Sequence, residues 1–117
     1  MLGRGDGDNM TGKIVTVTVD RAMGTYHPEH RDLYYPINYG FIAGIPAADG
    51  EEQDAYILGV DRPVTELTGR VIAVIKRRDD VEDKWVVAPE GVSFTAEEIA
   101  AATEFQEKYF DSYIVML

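Results

Sequence analysis

One run near the middle of the chain is apolar on both faces of an extended backbone: Arg70-Val71-Ile72-Ala73-Val74-Ile75-Lys76. Its β-branched residues favour a strand, and a strand without a polar face is typical of the centre of a sheet. Four further segments are predicted as strands from alternation or apolar content: residues 13–19, 39–45, 55–60 and 84–88. The sequence therefore predicts a mainly β protein in which residues 70–76 form a central strand.

The hydrophobic period changes after Pro89 and Gly91. Thr95-Ala96-Glu97-Glu98 matches a capping box, in which the threonine hydroxyl and the glutamate side chain each bond to the other residue's backbone. Apolar residues then recur at spacings of three and four, which predicts a C-terminal helix with one apolar face: Ile99, Ala102, Phe105, Tyr109 and Tyr113. Five short strands and one terminal helix predict a small closed five-stranded β-barrel of the oligonucleotide-binding kind.

Length and charge limit the possible functions. The 117 residues allow one domain with a modest core, which we place at residues 13–117 after a disordered tail at residues 1–12. The net charge of −10 argues against non-specific nucleic-acid binding, and the apolar runs are too short to span a membrane. The absence of cysteine excludes disulfides and zinc–thiolate sites, and it fits a cytoplasmic protein.

Two short acidic clusters, residues 49–54 and 79–84, contain 8 of the 21 acidic residues. Each cluster adjoins a predicted strand, and like charges that close together repel one another unless cations lie between them. Oxygen-only ligands of this kind suit hard ions such as Mg²⁺ or Mn²⁺. The alternative is that both clusters are solvated turns, since Asp-Gly is a common turn dipeptide.

The aromatic run Tyr34-Tyr35-Pro36-Ile37-Asn38-Tyr39-Gly40-Phe41-Ile42 precedes these clusters. In order and spacing, the run and the two clusters resemble the family I soluble inorganic pyrophosphatases over residues 34–89, and more weakly over the C-terminal helix. The resemblance implies a barrel of the predicted kind that hydrolyses pyrophosphate to two phosphates with a metal-activated water. It also implies Mg²⁺ as cofactor, with Mn²⁺ possible, and a homo-oligomer in which the apolar residues 114–117 could be buried.

The resemblance further implies roles for individual residues. The metal ligands that it implies are Asp49, Asp54, Asp79 and Glu82, and Asp83 is the alternative to Glu82. Asp20 is a further implied ligand, at a position where the family has a glutamate. The resemblance gives Glu51 as the base or orienter of the attacking water, and it places Tyr35, Tyr39 and Lys84 beside the substrate. The alternative role of the two tyrosines is aromatic packing, and that of Lys84 is to balance Asp83.

The phosphate-binding residues of that family are poorly matched. Arg21 or Arg31 could replace a missing arginine, and Tyr109 is followed by Phe110 where the family has a lysine. His27 and His30 lie in the altered loop, either as surface residues or as replacement phosphate contacts. Alternatives to a pyrophosphatase are therefore a non-catalytic or regulatory protein that binds metal and phosphate, a hydrolase of another phosphoanhydride, and an oligonucleotide-binding module, which the acidity disfavours.

Overall fold

A computed structural model describes residues 12–117, so the predicted tail, apart from Gly12, lies outside the described residues. Six strands and one helix follow in the order β1 Ile14–Arg21, β2 Tyr39–Pro46, β3 Glu52–Ile57, β4 Glu66–Arg77, β5 Asp83–Ala88, α1 Ala96–Glu107 and β6 Ser112–Met116. Within this part of the chain, no helix is long and apolar enough to cross a bilayer.

Five of the strands close into a barrel. They are hydrogen-bonded in the order β1-β2-β3-β5-β4, and β1 pairs again with β4 to complete the ring. Only the β3–β5 pair is parallel among the described strands. Alternating side chains fill the interior, among them Val17, Ala55, Ile57 and Val87, which have no exposed surface. The predicted fold class, a closed five-stranded barrel with a C-terminal helix, is confirmed.

Glycines allow two pairs of strands to approach closely. A Cβ atom at Gly40 in β2 would lie 1.8 Å from the carbonyl oxygen of Thr18, and one at Gly69 in β4 would lie 2.3 Å from that of Ala88. Gly69 directly precedes the run at residues 70–76 and lies inside β4, where glycine marks a close backbone approach rather than a turn.

The prediction of the C-terminus was wrong in one respect. The helix ends at Glu107 instead of continuing through Tyr109 and Tyr113, and residues 112–116 form a sixth strand outside the barrel. β1 occupies one edge of β4 only along residues 66–70, so β6 pairs with the same edge along residues 73–77. Aromatic and β-branched residues fit a strand as well as a helix face, and the free strand edge decides between them.

The helix α1 packs on the outside of the barrel. Its capping box forms as predicted, with the Thr95 hydroxyl accepting from the Glu98 amide and the Glu98 carboxylate accepting from the Thr95 amide. Ile99 is fully buried against the outward side chains of the barrel in a second apolar cluster, which also contains Tyr56, Leu58, Ala73, Ile75 and Val86. This packing brings the C-terminal end of α1 close to the ends of β3 and β4.

Candidate active site

A cavity of about 630 Å³ lies where the end of β1, the loop after it and the segment after α1 come together. Its wall carries both signs of charge, since the lining side chains include three cations and three carboxylates. The lining residues are Asp20, Arg21, His27, His30, Asp32, Leu33, Tyr35, Tyr39, Asp54, Arg77, Lys84, Gln106, Tyr109 and Phe110. Such a mixed wall suits a small polar ligand better than an apolar one.

Lys84 and Asp54 form the central ion pair of this cavity. Lys84 Nζ donates to Asp54 Oδ2 at 2.6 Å and to Glu82 Oε2 at 3.1 Å, while only 5% of the lysine side chain is exposed. Burial disfavours the ammonium charge, but the contacts with Tyr39 and Asp54 outweigh it and raise the pKa of Lys84 above the ordinary lysine value. Lys84 is therefore a fixed positive charge at neutral pH.

Arg21 has a buried donor that is not used. Its Nη1 donates to the backbone oxygen of Asp20 at 3.1 Å, but its Nε is buried without a hydrogen-bond partner. Among the residues that the structure describes, this is the sole buried side-chain nitrogen or oxygen in that condition. An unsatisfied buried donor costs about 1–3 kcal/mol of folding free energy.

Two carboxylates of the cavity influence each other. Burial raises the pKa of Asp20, and the charge of Asp54 raises it further against the opposing effect of Arg21. Because like charges repel, a cation placed between Asp20 and Asp54 would be stabilised by both.

Tyr35 and Tyr39 provide phenol groups at the same wall. The Tyr35 hydroxyl donates to Gln106 Oε1 at 3.0 Å, and the ring of Tyr39 lies 5.7 Å from Lys84 Nζ. Burial raises the pKa of both hydroxyls above the ordinary tyrosine value. Both side chains are therefore protonated at neutral pH, and the hydroxyl of Tyr39 can donate to a ligand oxygen.

Arg77, at the end of β4, is a cavity residue that the sequence analysis missed. Only 3% of its side chain is exposed, and its Nε and Nη2 donate to the two carboxylate oxygens of Glu107 at 3.1 and 2.7 Å. Tyr56 and Ser112 donate to the same carboxylate at 2.6 and 2.5 Å. The signal in the sequence is weak, because an arginine after an apolar strand is more often the solvated end of that strand.

The structure brings only some of the predicted metal ligands together. Asp20 and Asp54 line the cavity, and Glu82 adjoins it through Lys84. The others have partners elsewhere: Asp49 accepts from the amide of Glu51 in an exposed turn, Asp79 from the amide of Asp111, and Asp83 from Lys76 Nζ. Within residues 12–117, no three or more of the histidine, aspartate and glutamate side chains form a group that could hold a metal ion.

The predicted contacts for substrate are divided in the same way. Arg21, Lys84 and Tyr109 line the cavity, whereas Arg31 lies outside it beside Tyr26 and Pro28, and Glu51 is exposed on its turn. The cavity therefore contains cations and phenols, but the residue predicted to activate water does not line it.

His27 and His30 both line the cavity, with ring centroids 4.7 Å apart. His27 Nδ1 accepts from the Glu29 amide at 3.0 Å. Burial and the neighbouring charges of Arg21 and His30 lower the pKa of His27. His27 is therefore a neutral ring at neutral pH, and its Nε2 carries the proton.

No protein-family model matches this chain, and no curated protein sequence matches it. Solved structures do. Inorganic pyrophosphatase from Ehrlichia chaffeensis aligns with a TM-score of 0.68 and 20% sequence identity, covering 93% of this chain and 92% of that one. An inorganic pyrophosphatase from Neisseria gonorrhoeae aligns with a TM-score of 0.65 and 23% identity, covering 90% of this chain and 76% of that one.

The inorganic pyrophosphatase of Helicobacter pylori aligns less closely, with a TM-score of 0.61 and 16% identity over 93% of this chain and 85% of that one. At such identities the comparison establishes a shared fold. The resemblance seen in residues 34–89 is thus confirmed for the architecture of the chain.

Proposed function

We propose that this protein is a metal-dependent hydrolase that cleaves inorganic pyrophosphate, or a closely related small phosphoanhydride, to two phosphates in the cavity around Lys84. The fold shared with inorganic pyrophosphatases supports this proposal, and so does the order of the aromatic and acidic blocks in the sequence. A shared fold does not by itself assign a function, so the proposal depends on the side chains of the cavity.

The observation that carries it is a pair of cations, Arg21 and Lys84, that line the same cavity. Pyrophosphate offers only acceptor oxygens and a high negative charge. A fixed guanidinium donor and a fixed ammonium complement both properties, because charge-assisted hydrogen bonds to phosphate are stronger than neutral ones. The hydroxyl of Tyr39 would donate to the same anion, and the Tyr35 hydroxyl could accept from neighbouring cations or waters.

The cofactor we propose is Mg²⁺, with Mn²⁺ as the substitute. Mg²⁺ commonly binds one or two carboxylates together with substrate phosphates and keeps several waters, so it does not need a cage made only of protein ligands. Asp20 and Asp54 are the carboxylates of the cavity that fit this requirement. When bound, the ion would neutralise phosphate charge and increase the acidity of a water molecule.

The proton of the attacking water requires an acceptor. The sequence resemblance gives this role to Glu51, which lies on an exposed turn outside the cavity. We propose instead that a carboxylate of the cavity takes this role. Lys84 would hold Asp54 in place, and Arg21 would stabilise charge on the departing phosphate.

A second function, binding of phosphate compounds without turnover, is favoured by a specific observation. Within the described residues, the predicted ligands Asp49 and Asp79 take part in turns and loops instead of joining Asp54. A cavity with cations but fewer metal ligands could bind a phosphate compound and regulate another process. For either function we propose a cytoplasmic homo-oligomer, with the exposed residues Val115, Met116 and Leu117 at the contact between subunits.

The deciding experiment is a phosphate-release assay with pyrophosphate and either Mg²⁺ or Mn²⁺. We expect turnover by the unmodified chain and its loss in Asp54→Asn. The matched control is Asp61→Asn, since Asp61 is an exposed aspartate outside the cavity. Binding of pyrophosphate by calorimetry without any phosphate release would replace the hydrolase with the binding protein, and absence of both would refute both functions.

A further inference from the structure

Arg77 is held in one orientation by contacts on three sides. Two of its nitrogens bind the carboxylate of Glu107, and the ring of Phe110 lies 3.6 Å from its guanidinium carbon. Four hydrogen bonds, two of them from Tyr56 and Ser112, fix that carboxylate in turn. A guanidinium bound bidentately at one edge and stacked on one face loses little entropy when it binds a further partner.

The guanidinium still has donors available for a ligand. An arginine carries five N–H groups, of which Nε and Nη2 use one each on Glu107. Nη1 uses one in a long contact of 3.4 Å with Glu82 Oε1 and also forms an ion pair with Asp80 Oδ2 at 3.9 Å, beyond hydrogen-bond distance. Within the described residues, two N–H groups are therefore left without a hydrogen-bond acceptor. Because Arg77 lines the cavity, an acceptor that enters the cavity can reach its guanidinium.

Glu82 lies between two cations of the cavity. One of its oxygens is 3.4 Å from Arg77 Nη1, and the other is 3.1 Å from Lys84 Nζ. A quarter of the Glu82 side chain is exposed, whereas the side chains of the two cations are 3% and 5% exposed. The carboxylate therefore marks a position where an oxyanion contacts both Arg77 and Lys84, and it is the most exposed of the three side chains.

From this geometry we infer that Arg77 is a substrate-binding residue, which contacts a phosphoryl group of the anion together with Lys84. The inference rests on the proposed function, because it assigns a further contact to the same phosphoanhydride. It gives Phe110 a defined role as the aromatic surface that orients the guanidinium. It also explains why an arginine lies beside the cavity at the end of a strand whose apolar side chains fill the two apolar clusters.

The competing explanation is that Arg77 only anchors the end of α1 through Glu107. Loss of activity in Arg77→Met would not separate the two explanations, because Glu107 would then be a buried charge without its partner. The double variant Arg77→Met/Glu107→Gln removes both charges and avoids that penalty. Arg78→Met is the matched control, since Arg78 is the next residue, pairs with Asp111 at 3.1 Å and does not line the cavity.

The test is calorimetric titration of the full chain with imidodiphosphate, a pyrophosphate analogue that resists hydrolysis. We expect the double variant to bind at least about tenfold more weakly than the unmodified chain, because it lacks a charge-assisted contact. Arg78→Met should bind with unchanged affinity.

A second variant keeps the test decisive if the double variant does not fold. Phe110→Glu, at a half-buried position outside the helix, places an anion against the Arg77 guanidinium and should also weaken binding by about tenfold. Unchanged affinity in Phe110→Glu, or in a folded double variant, would overturn the role of Arg77 while leaving the proposed function standing. Failure of the unmodified chain to bind imidodiphosphate would remove both.

Discussion

Lys84 Nζ lies 2.6 Å from Asp54 Oδ2, and this contact joins the second residue of β5 to the third residue of the neighbouring strand β3. β3 and β5 run parallel, so both strands enter the barrel at the same end. The pair therefore has two effects. It neutralises a charge beside the core, and it places a cation and a carboxylate at the same cavity.

Lys84→Met should destabilise the fold and remove the cavity's ability to bind phosphate. Asp54 and Glu82 would lose the cation that they share, beside the further negative charge of Asp20. Breaking a buried ion pair costs about 3–5 kcal/mol. We expect a smaller loss of stability here, because the side chain of Asp54 is 31% exposed. Urea unfolding gives the free energy, and calorimetry with pyrophosphate gives the binding. Lys76→Met is the matched control, since its ion pair with Asp83 is exposed and is worth at most ~1 kcal/mol. Equal losses in the two variants would contradict this account.

Asp54→Asn should abolish the thermal stabilisation that Mg²⁺ gives to the folded chain. A ligand that binds only the folded state stabilises it by roughly 2.7 kcal/mol at a hundredfold excess over its Kd. The measurement is the melting temperature with and without Mg²⁺.

Asp49→Asn is the informative companion to that variant. Asp49 is a predicted ligand by family resemblance, but it caps an exposed turn in the structure. We expect its response to Mg²⁺ to be retained, whereas its loss would show that the turn joins the metal site when the ion binds.

The stability of the fold should fall in acid through Glu107. Burial favours its neutral form, but the hydrogen bonds from Arg77, Ser112 and Tyr56 outweigh burial and lower its pKa from the ordinary value of 4.5. A group with a lowered folded pKa contributes stability that is complete above about pH 4.5 and is lost as the pH falls through the folded value. Unfolding free energies between pH 7 and pH 3 should therefore converge for the unmodified chain and Glu107→Gln.

Glu104→Gln serves as the control for this pH series, because Glu104 is exposed on the same helix. Its free energy of unfolding should run parallel to that of the unmodified chain. A constant difference between Glu107→Gln and the unmodified chain across the whole range would show that the pKa of Glu107 is not lowered.

Gly40→Ala should prevent the barrel from closing. The added methyl group would lie 1.8 Å from the Thr18 carbonyl oxygen, so β1 and β2 must separate, and we expect a cost above about 4 kcal/mol. Gly44→Ala in the same strand has no atom within 4 Å of the added carbon and costs only its left-handed backbone, roughly 1–2 kcal/mol. Circular dichroism and urea unfolding compare them, and similar stabilities would contradict the close approach.

The sequence was sufficient to predict the barrel because each strand carries its own pattern. Alternating Val15 and Val17 indicate a strand with one buried face, and the apolar run at residues 70–76 indicates a central one. The local sequence pattern could not predict β6. Whether Tyr113 and Ile114 form a helix or a strand depends on a strand edge of β4 that exists only after the barrel has closed. The role of Gly69 could not be predicted for a similar reason, because it depends on the backbone of Ala88, which is distant in sequence.

The cavity was predictable in part. Asp54, Tyr35, Tyr39 and Lys84 follow from the aromatic and acidic blocks, which lie on adjoining strands. The buried role of Arg77 could not be predicted, because its partner Glu107 is 30 residues away and shows no pattern that connects the two. The metal-binding roles of the acidic clusters stay predictions.

Because β1 and β6 pair with the same edge of β4, the backbone amides along that edge should exchange with solvent through two different opening events. Amides that β1 protects in residues 66–70 can exchange with solvent only when the barrel itself opens. Those that face β6 in residues 73–77 exchange whenever that outer strand detaches, an event that leaves the ring of five strands intact. Native-state hydrogen exchange should therefore show two opening free energies within β4, with the lower one at the end that bears Arg77.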